Sequence, residues 1–109
     1  MARLGYFLSS EEHGPGQLVS FARMGEDGGF SSVLISDHFH PWTESQGQSL
    51  FVRSVIGAIA ATTKLHVTTG VTCPTVRLHP AIVAQASTRR PRRFSWRGAP
   101  PWAWVAARH

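Results

Sequence analysis

The chain has 109 residues, 42% hydrophobic and 16% charged, with a formal net charge of +5; this bounds it to one compact core, since domains usually run to about 100–150 residues. No apolar run approaches the roughly 20 residues that cross a bilayer, and Leu4 to Leu8 is too short for a signal-peptide core, so neither a membrane span nor secretion is expected. A single cysteine, Cys73, excludes an internal disulfide and a cysteine-rich zinc site and points to a reducing compartment, with the cytoplasm as the expected location.

Leu4 to Leu8 (LGYFL) predicts a short buried strand, followed by Ser9, Ser10 and a loop bearing glycine and proline that ends at Gly16. Gln17 to Asp27 predicts a helix, because Leu18, Phe21, Ala22 and Met24 fall on one face and Gly28-Gly29 offers a positive-φ exit. Ser32 to Ser36 (SVLIS) is a second strand, and a loop runs from Asp37 to Gln48. Phe51 to Thr62 carries Val52, Val55, Ile56 and Ile59 at helical spacing, with Ser49 as the expected N-cap. His66 to Val71 is the third strand, and a third helix begins at Ala81 after Pro80. The order β-α-β-α-β-α, with short connections and near-continuous apolar strands, predicts an α/β fold of parallel strands joined by crossover helices. An open three-stranded parallel sheet leaves both edges unpaired, whereas a complete β/α barrel takes eight such units over about 250 residues.

The charge divides the chain in two. Residues 1–86 hold five basic groups against six acidic ones, whereas residues 87–109 hold Arg89, Arg90, Arg92, Arg93, Arg97 and Arg108 with no acid, along with Trp96, Trp102 and Trp104. Taken at face value, this tail suits a small basic binding protein that grips nucleic acid or an anionic surface by arginine contacts and indole stacking. Its Arg-Pro runs without periodicity otherwise read as disorder.

In a β/α barrel the active site lies at the carboxyl ends of the strands. After the second strand come Asp37, His38, Phe39, His40, Pro41 and Trp42, which supply a carboxylate, two imidazoles and an indole: an acid/base group and an aromatic platform. The plainer alternative has Asp37 capping the loop backbone and one histidine filling a polar niche. His38 and His40 also resemble part of the metal site of barrel hydrolases. A catalytic zinc takes three protein ligands, though, and His13, His66 and His79 have no diagnostic spacing, so no metal ligand is assigned. The third strand ends in Gly70-Val71-Thr72-Cys73, where a glycine permits close approach of a flat ligand or serves simply as a turn. Cys73 reads as a small buried hydrophobe, and Arg77 and His79 are expected on a solvated loop face.

The segments Ser10 to Pro15 (SEEHGP), Ile35 to Trp42 (ISDHFHPW), Phe51 to Thr63 (FVRSVIGAIAATT) and Thr68 to Ala86 (TTGVTCPTVRLHPAIVAQA) closely resemble one family. It is the coenzyme F420-dependent glucose-6-phosphate dehydrogenase-like branch of the luciferase-like monooxygenase superfamily, and the resemblance covers residues 4–86. It implies a luciferase-like (β/α)8 TIM barrel of which this chain holds the N-terminal three βα units. That barrel would bind a deazaflavin across the strand ends and pass hydride between it and a small organic substrate such as a sugar phosphate. Coenzyme F420 is the implied cofactor, with FMN, used by sister branches, as the second candidate; the intact relatives are expected to be homo-oligomers. By motif, His38 corresponds to a base beside the site of hydride transfer, and Trp42 to the aromatic residue over the substrate side of the ring. Asp37 joins His38 as the cofactor-proximal pair; Gly70 and Val71 match a bulged backbone against the deazaflavin, and Thr72 and Cys73 continue that wall. Arg53 departs from the apolar or aromatic residue expected at its position.

The family's proton-donating glutamate lies in a Gly-x-Gly-x-Gly-Glu segment that the chain as written does not contain. Reading from the third base of each codon from Ser87 onward turns Trp96-Arg97 into alanine, given a CGN arginine, and turns Trp102-Ala103 and Trp104-Val105 into glycines. These fall at the family's spacing, and the degenerate positions around them permit the rest of the segment. The expectation is a small insertion or deletion near Ser87, an out-of-frame and disordered tail, no role for nucleic acid, and a span that is inactive and prone to aggregate by itself.

Overall fold

Three short parallel strands, β1 (Gly5–Leu8), β2 (Ser32–Ile35) and β3 (His66–Thr69), alternate with helices α1 (Pro15–Asp27), α2 (Val52–Thr62) and α3 (Pro80–Thr88) in a computed structural model that describes residues 3–72 and 77–88. Cys73 and residues 89–109, which hold most of the arginine- and tryptophan-rich tail, lie outside the described residues. The sheet order is β1-β2-β3, with Tyr6 opposite Val33, Val33 opposite Val67, Leu8 opposite Ile35 and Ile35 opposite Thr69. Strand side chains alternate between faces. Leu8, Val33, Ile35 and Val67 therefore share one face and pack with Leu18 and Ala22 of α1 and Val52, Val55, Ile56 and Ile59 of α2. The other face carries Phe7, 54% exposed, and Leu34. Sequential strand order with α1 and α2 on the same face is the winding of a barrel wall; a doubly wound sheet has helices on both faces.

The element ends explain where the boundaries move. Pro15 opens α1 two residues before the expected Gln17, since a proline in the first turn gives up no helical hydrogen bond. The Gln17 Oε1 accepts the Gly14 N–H at 3.1 Å. At the exit Gly29 takes φ +91°, its N–H bonds to the Glu26 carbonyl at 3.0 Å, and the Phe30 N–H bonds to the Gly25 carbonyl at 3.0 Å. This is a Schellman stop, and it needs a residue that tolerates left-handed backbone. Gly29→Ala is expected to lower stability by about 1 kcal/mol, read as a lower urea midpoint with an unchanged slope.

Ser49 is not the cap of α2. The helix begins at Val52 with Phe51 in the cap position, and Ser49, two residues further out, donates its hydroxyl to the Phe39 carbonyl instead. A side chain caps only from the residue that adjoins the first turn. Strand β3 ends at Thr69 and not at Val71: Gly70 makes the last rung, its N–H reaching the Ile35 carbonyl at 2.9 Å, and the Gly70–Val71 peptide is cis. Helix α3 begins on Pro80, with the exposed His79 accepting the Ala81 N–H on Nδ1 at 3.2 Å. Among the described residues no helix is long and apolar enough to cross a membrane.

Candidate active site

Parallel pairing in the order β1-β2-β3 sets three strand exits side by side: Ser9-Ser10-Glu11, Ser36-Asp37-His38 and Gly70-Val71-Thr72. Two polar networks grow from them.

The first joins β1 to β2. Glu11 is buried; its Oε1 lies 2.6 Å from His38 Nδ1, and its Oε2 accepts the Ser36 hydroxyl at 2.6 Å. Ser36 Oγ in turn accepts the Ser10 N–H at 2.8 Å, and the Ser10 hydroxyl donates to the Ser36 carbonyl at 2.8 Å. Burial pushes the Glu11 carboxyl up, but the bonds from Ser36, its own backbone and His38, with the charge on His38, outweigh that and hold it below its ordinary value of 4.5. An ionised carboxylate only accepts, so the ring proton of a neutral His38 sits on Nδ1 and Nε2 is left as its basic atom. A lowered folded value means that the unfolded chain takes up the proton first. The contribution of Glu11 to stability is thus complete above about 4.5 and drains away as pH falls through the folded value. Glu11→Gln, which cannot ionise, is expected to lose less stability than the parent between about pH 6 and about pH 3. Urea midpoints that fall in parallel for the two chains would remove Glu11 from the acid response.

The second network joins β2 to β3. The Asp37 carboxylate, fully buried, pairs with Arg77 through Oδ1; its Oδ2 accepts the Thr72 hydroxyl at 2.7 Å and lies 3.5 Å from Arg53 Nη2. That same Nη2 donates to Thr72 Oγ1 at 3.0 Å. Arg77 is therefore not on a solvated loop face: a buried carboxylate demands a cation, and Arg77 supplies it. Burial pushes the Arg53 guanidinium below its ordinary range, the Asp37 carboxylate opposes this, and the like charge of Arg77 adds to it.

Above the strand ends a cleft of about 510 Å³ is lined by Glu11, Ser36, His38, Trp42, Phe7 and Gly70 among others. The His38 side chain is 32% exposed there, and its ring meets Trp42 edge to face with centroids 5.6 Å apart. Trp42 is 78% exposed, so its indole is not a core anchor, and its backbone N–H is held by Gln46 Oε1 at 2.7 Å. The structure thus brings His38, Trp42 and Gly70 to one cleft. Val71 is exposed beside it, while Asp37 and Thr72 stand in the second network and do not line it. Cys73 lies outside the described residues. His40 is exposed, edge-on to Phe39, and among the described residues no three of His, Cys, Asp and Glu converge on a point. Sequence reasoning missed the role of Glu11. Its signal was there, an acid three residues past the end of β1, where a neighbouring strand exit comes within reach.

The profile of the family described as luciferase-like monooxygenase matches residues 1–88. The chain is 41% identical over 87 residues to an F420-dependent glucose-6-phosphate dehydrogenase of Beutenbergia cavernae, covering 79% of this chain and 26% of that protein. It is 42% identical over 85 residues to the F420-dependent glucose-6-phosphate dehydrogenase 2 of Rhodococcus jostii, covering 77% and 25%. The chain spans about a quarter of the length of these curated relatives. Among solved structures, an F420-dependent secondary alcohol dehydrogenase in complex with an F420-acetone adduct superposes with a TM-score of 0.80 at 36% identity, covering 86% of this chain and 30% of that one.

Proposed function

Because the chain belongs to the luciferase-like monooxygenase family, we propose that it forms the first three βα units of an F420-dependent oxidoreductase barrel and carries that enzyme's base and aromatic wall. The observation that supports this best is the 2.6 Å Glu11–His38 pair at the strand-end cleft, next to Trp42 and Gly70. The residues present fit a flat ring system. Gly70 has no side chain to intrude, since a Cβ there would come within 3.0 Å of Leu34 Cδ1, and Trp42 offers an open aromatic surface. Gly70 and Val71, with Thr72 and Cys73 continuing the segment, would hold the deazaflavin, and Asp37 would act by fixing the strand exit that carries His38. When bound, the deazaflavin supplies the hydride acceptor.

His38 Nε2 is the atom that takes a proton from a substrate hydroxyl, and the anionic Glu11 stabilises the imidazolium that results. Trp42 presents its open indole beside His38, as an aromatic wall for the substrate side of the ring. The substrate class is a small alcohol, a sugar phosphate hydroxyl included, as the names of the relatives indicate. No turnover is expected from these 109 residues alone.

The test is a chimera in which residues 1–88 replace the matching segment of the Beutenbergia cavernae relative. Saturable quenching of F420 fluorescence by the chimera supports the reading. A chimera that has native-like circular dichroism and leaves F420 fluorescence unchanged overturns it.

A further inference from the structure

Behind the Glu11–His38 pair the hydrogen bonds run inward to a buried serine. Ser36 is 1% exposed and Glu11 4%, whereas the His38 side chain is 32% exposed in the cleft. Counting donors and acceptors places the protons along this path. The Ser10 hydroxyl donates to the Ser36 carbonyl at 2.8 Å, and the Ser10 N–H fills one lone pair of Ser36 Oγ, also at 2.8 Å. The hydroxyl proton of Ser36 then has three oxygens in reach: Glu11 Oε2 at 2.6 Å, Ser10 Oγ at 3.1 Å and the Leu8 carbonyl at 3.4 Å. The carboxylate is both the nearest and the charged acceptor, so it takes the proton. The Ser9 and Ser10 hydroxyls stand farther from Glu11, at 3.3 and 3.4 Å. Burial pushes the Glu11 carboxyl up, and of the bonds that hold it down the one from Ser36 does the most. Glu11 is thereby gripped at both oxygens, by Ser36 from the core and by His38 from the cleft.

We propose that Ser36 is a positioning residue for His38: by fixing Glu11 it fixes the ring proton of His38 on Nδ1 and keeps the lone pair on Nε2. The consequence for turnover rests on the reading of His38 as the base. A glutamate side chain turns about several bonds, and a hydrogen bond to a ring at the cleft surface does not hold all of them; ordering them costs conformational entropy. With Ser36 in place the carboxylate is ordered before a substrate arrives. Which imidazole nitrogen carries the proton is set by the hydrogen bond the ring makes. Without the grip of Ser36, Glu11 leaves Nδ1 and the proton moves to Nε2, the tautomer that an unpartnered imidazole favours. Nε2 then donates and cannot take a proton from a substrate hydroxyl.

The experiment is a long-range proton–nitrogen NMR spectrum of the full 109-residue chain at about pH 8.5, where imidazoles are neutral, read at His38 in the parent and in three variants. The parent is expected to show Nδ1 protonated and Nε2 bare. Ser36→Ala is expected to carry the proton largely on Nε2. So is Ser36→Cys, which keeps the size of the side chain but donates weakly. Ser36→Thr keeps the hydroxyl and is expected to restore the parent tautomer. A serine that only ties β1 to β2 would lower the melting temperature when replaced and leave the tautomer as it was. In the chimera, Ser36→Ala is expected to lower kcat about tenfold or more with F420 affinity within about twofold. A chimera that does not bind F420 overturns the functional reading, and the tautomer then decides this proposal by itself. A parent chain with the proton on Nε2, a folded Ser36→Ala or Ser36→Cys that keeps it on Nδ1, or an unchanged kcat in the chimera overturns the proposal.

Discussion

His38→Ala in the chimera is expected to lower F420 reduction by about 10²–10⁴-fold while leaving F420 affinity within about twofold. The expectation rests on the division of labour in the first network. Glu11 fixes the proton on Nδ1 from 2.6 Å, so Nε2 is the atom that can accept one. Alanine removes that atom and also the edge-to-face support of Trp42. His38→Asn separates the two losses, since its amide can still bond to Glu11 while offering no base; it is expected to be as inactive as alanine. Turnover retained within about fivefold in His38→Asn would assign His38 a packing role and move the base elsewhere. Glu11→Gln is expected to fall between the parent and these variants, because it keeps an acceptor for Nδ1–H but loses the charge that steadies the imidazolium.

Asp37→Asn is expected to cost about 3–5 kcal/mol, the usual cost of breaking a buried ion pair by removing one partner. The asparagine leaves Arg53 and Arg77 facing each other with no carboxylate between them, and it weakens the acceptor for the Thr72 hydroxyl at 2.7 Å. For a domain of this size each kcal/mol moves the melting temperature by about 4–8 °C, so the variant is expected to melt about 12–40 °C below the parent. Adding Arg53→Met to Asp37→Asn removes one of the two stranded cations and is expected to recover part of the loss. Circular dichroism melts of the four chains in this cycle measure the coupling. An Asp37→Asn chain that melts within about 2 °C of the parent would show that the network is not what ties β2 to β3.

These two experiments address residues that stand next to each other in the chain but serve different networks. The family motif implies Asp37 and His38 as a cofactor-proximal pair, and in the structure their side chains join different networks. Alternation at the exit of β2 turns them apart: His38 reaches toward β1 and its glutamate, and Asp37 reaches toward β3 and two arginines. Neither destination is written in the hexapeptide that carries them. Arg53 illustrates the same point. As a charge on a mostly apolar helix it stood out as a departure, yet its meaning came only from the Thr72 hydroxyl and the Asp37 carboxylate that it reaches.

The sequence by itself determined the elements and their order. Short apolar runs, period-3.6 apolar spacing, Pro80 ahead of a helix and Gly28-Gly29 at a helix exit are local signals, and each acts within a few residues of its own position. The motif around His38 and Trp42 was legible for a similar reason, since it is contiguous. The tertiary structure decided the partners: Glu11 for His38 across 27 positions, Thr72 for Arg53 across 19, and Arg77 for Asp37 across 40. Their pairing depends on which strand lies beside which and in what register, and that is set by burying Leu8, Val33, Ile35 and Val67 under α1 and α2. Burial of apolar surface is non-directional and reads along no short stretch of chain; it brings distant strand ends together, and the polar groups found there must then satisfy one another.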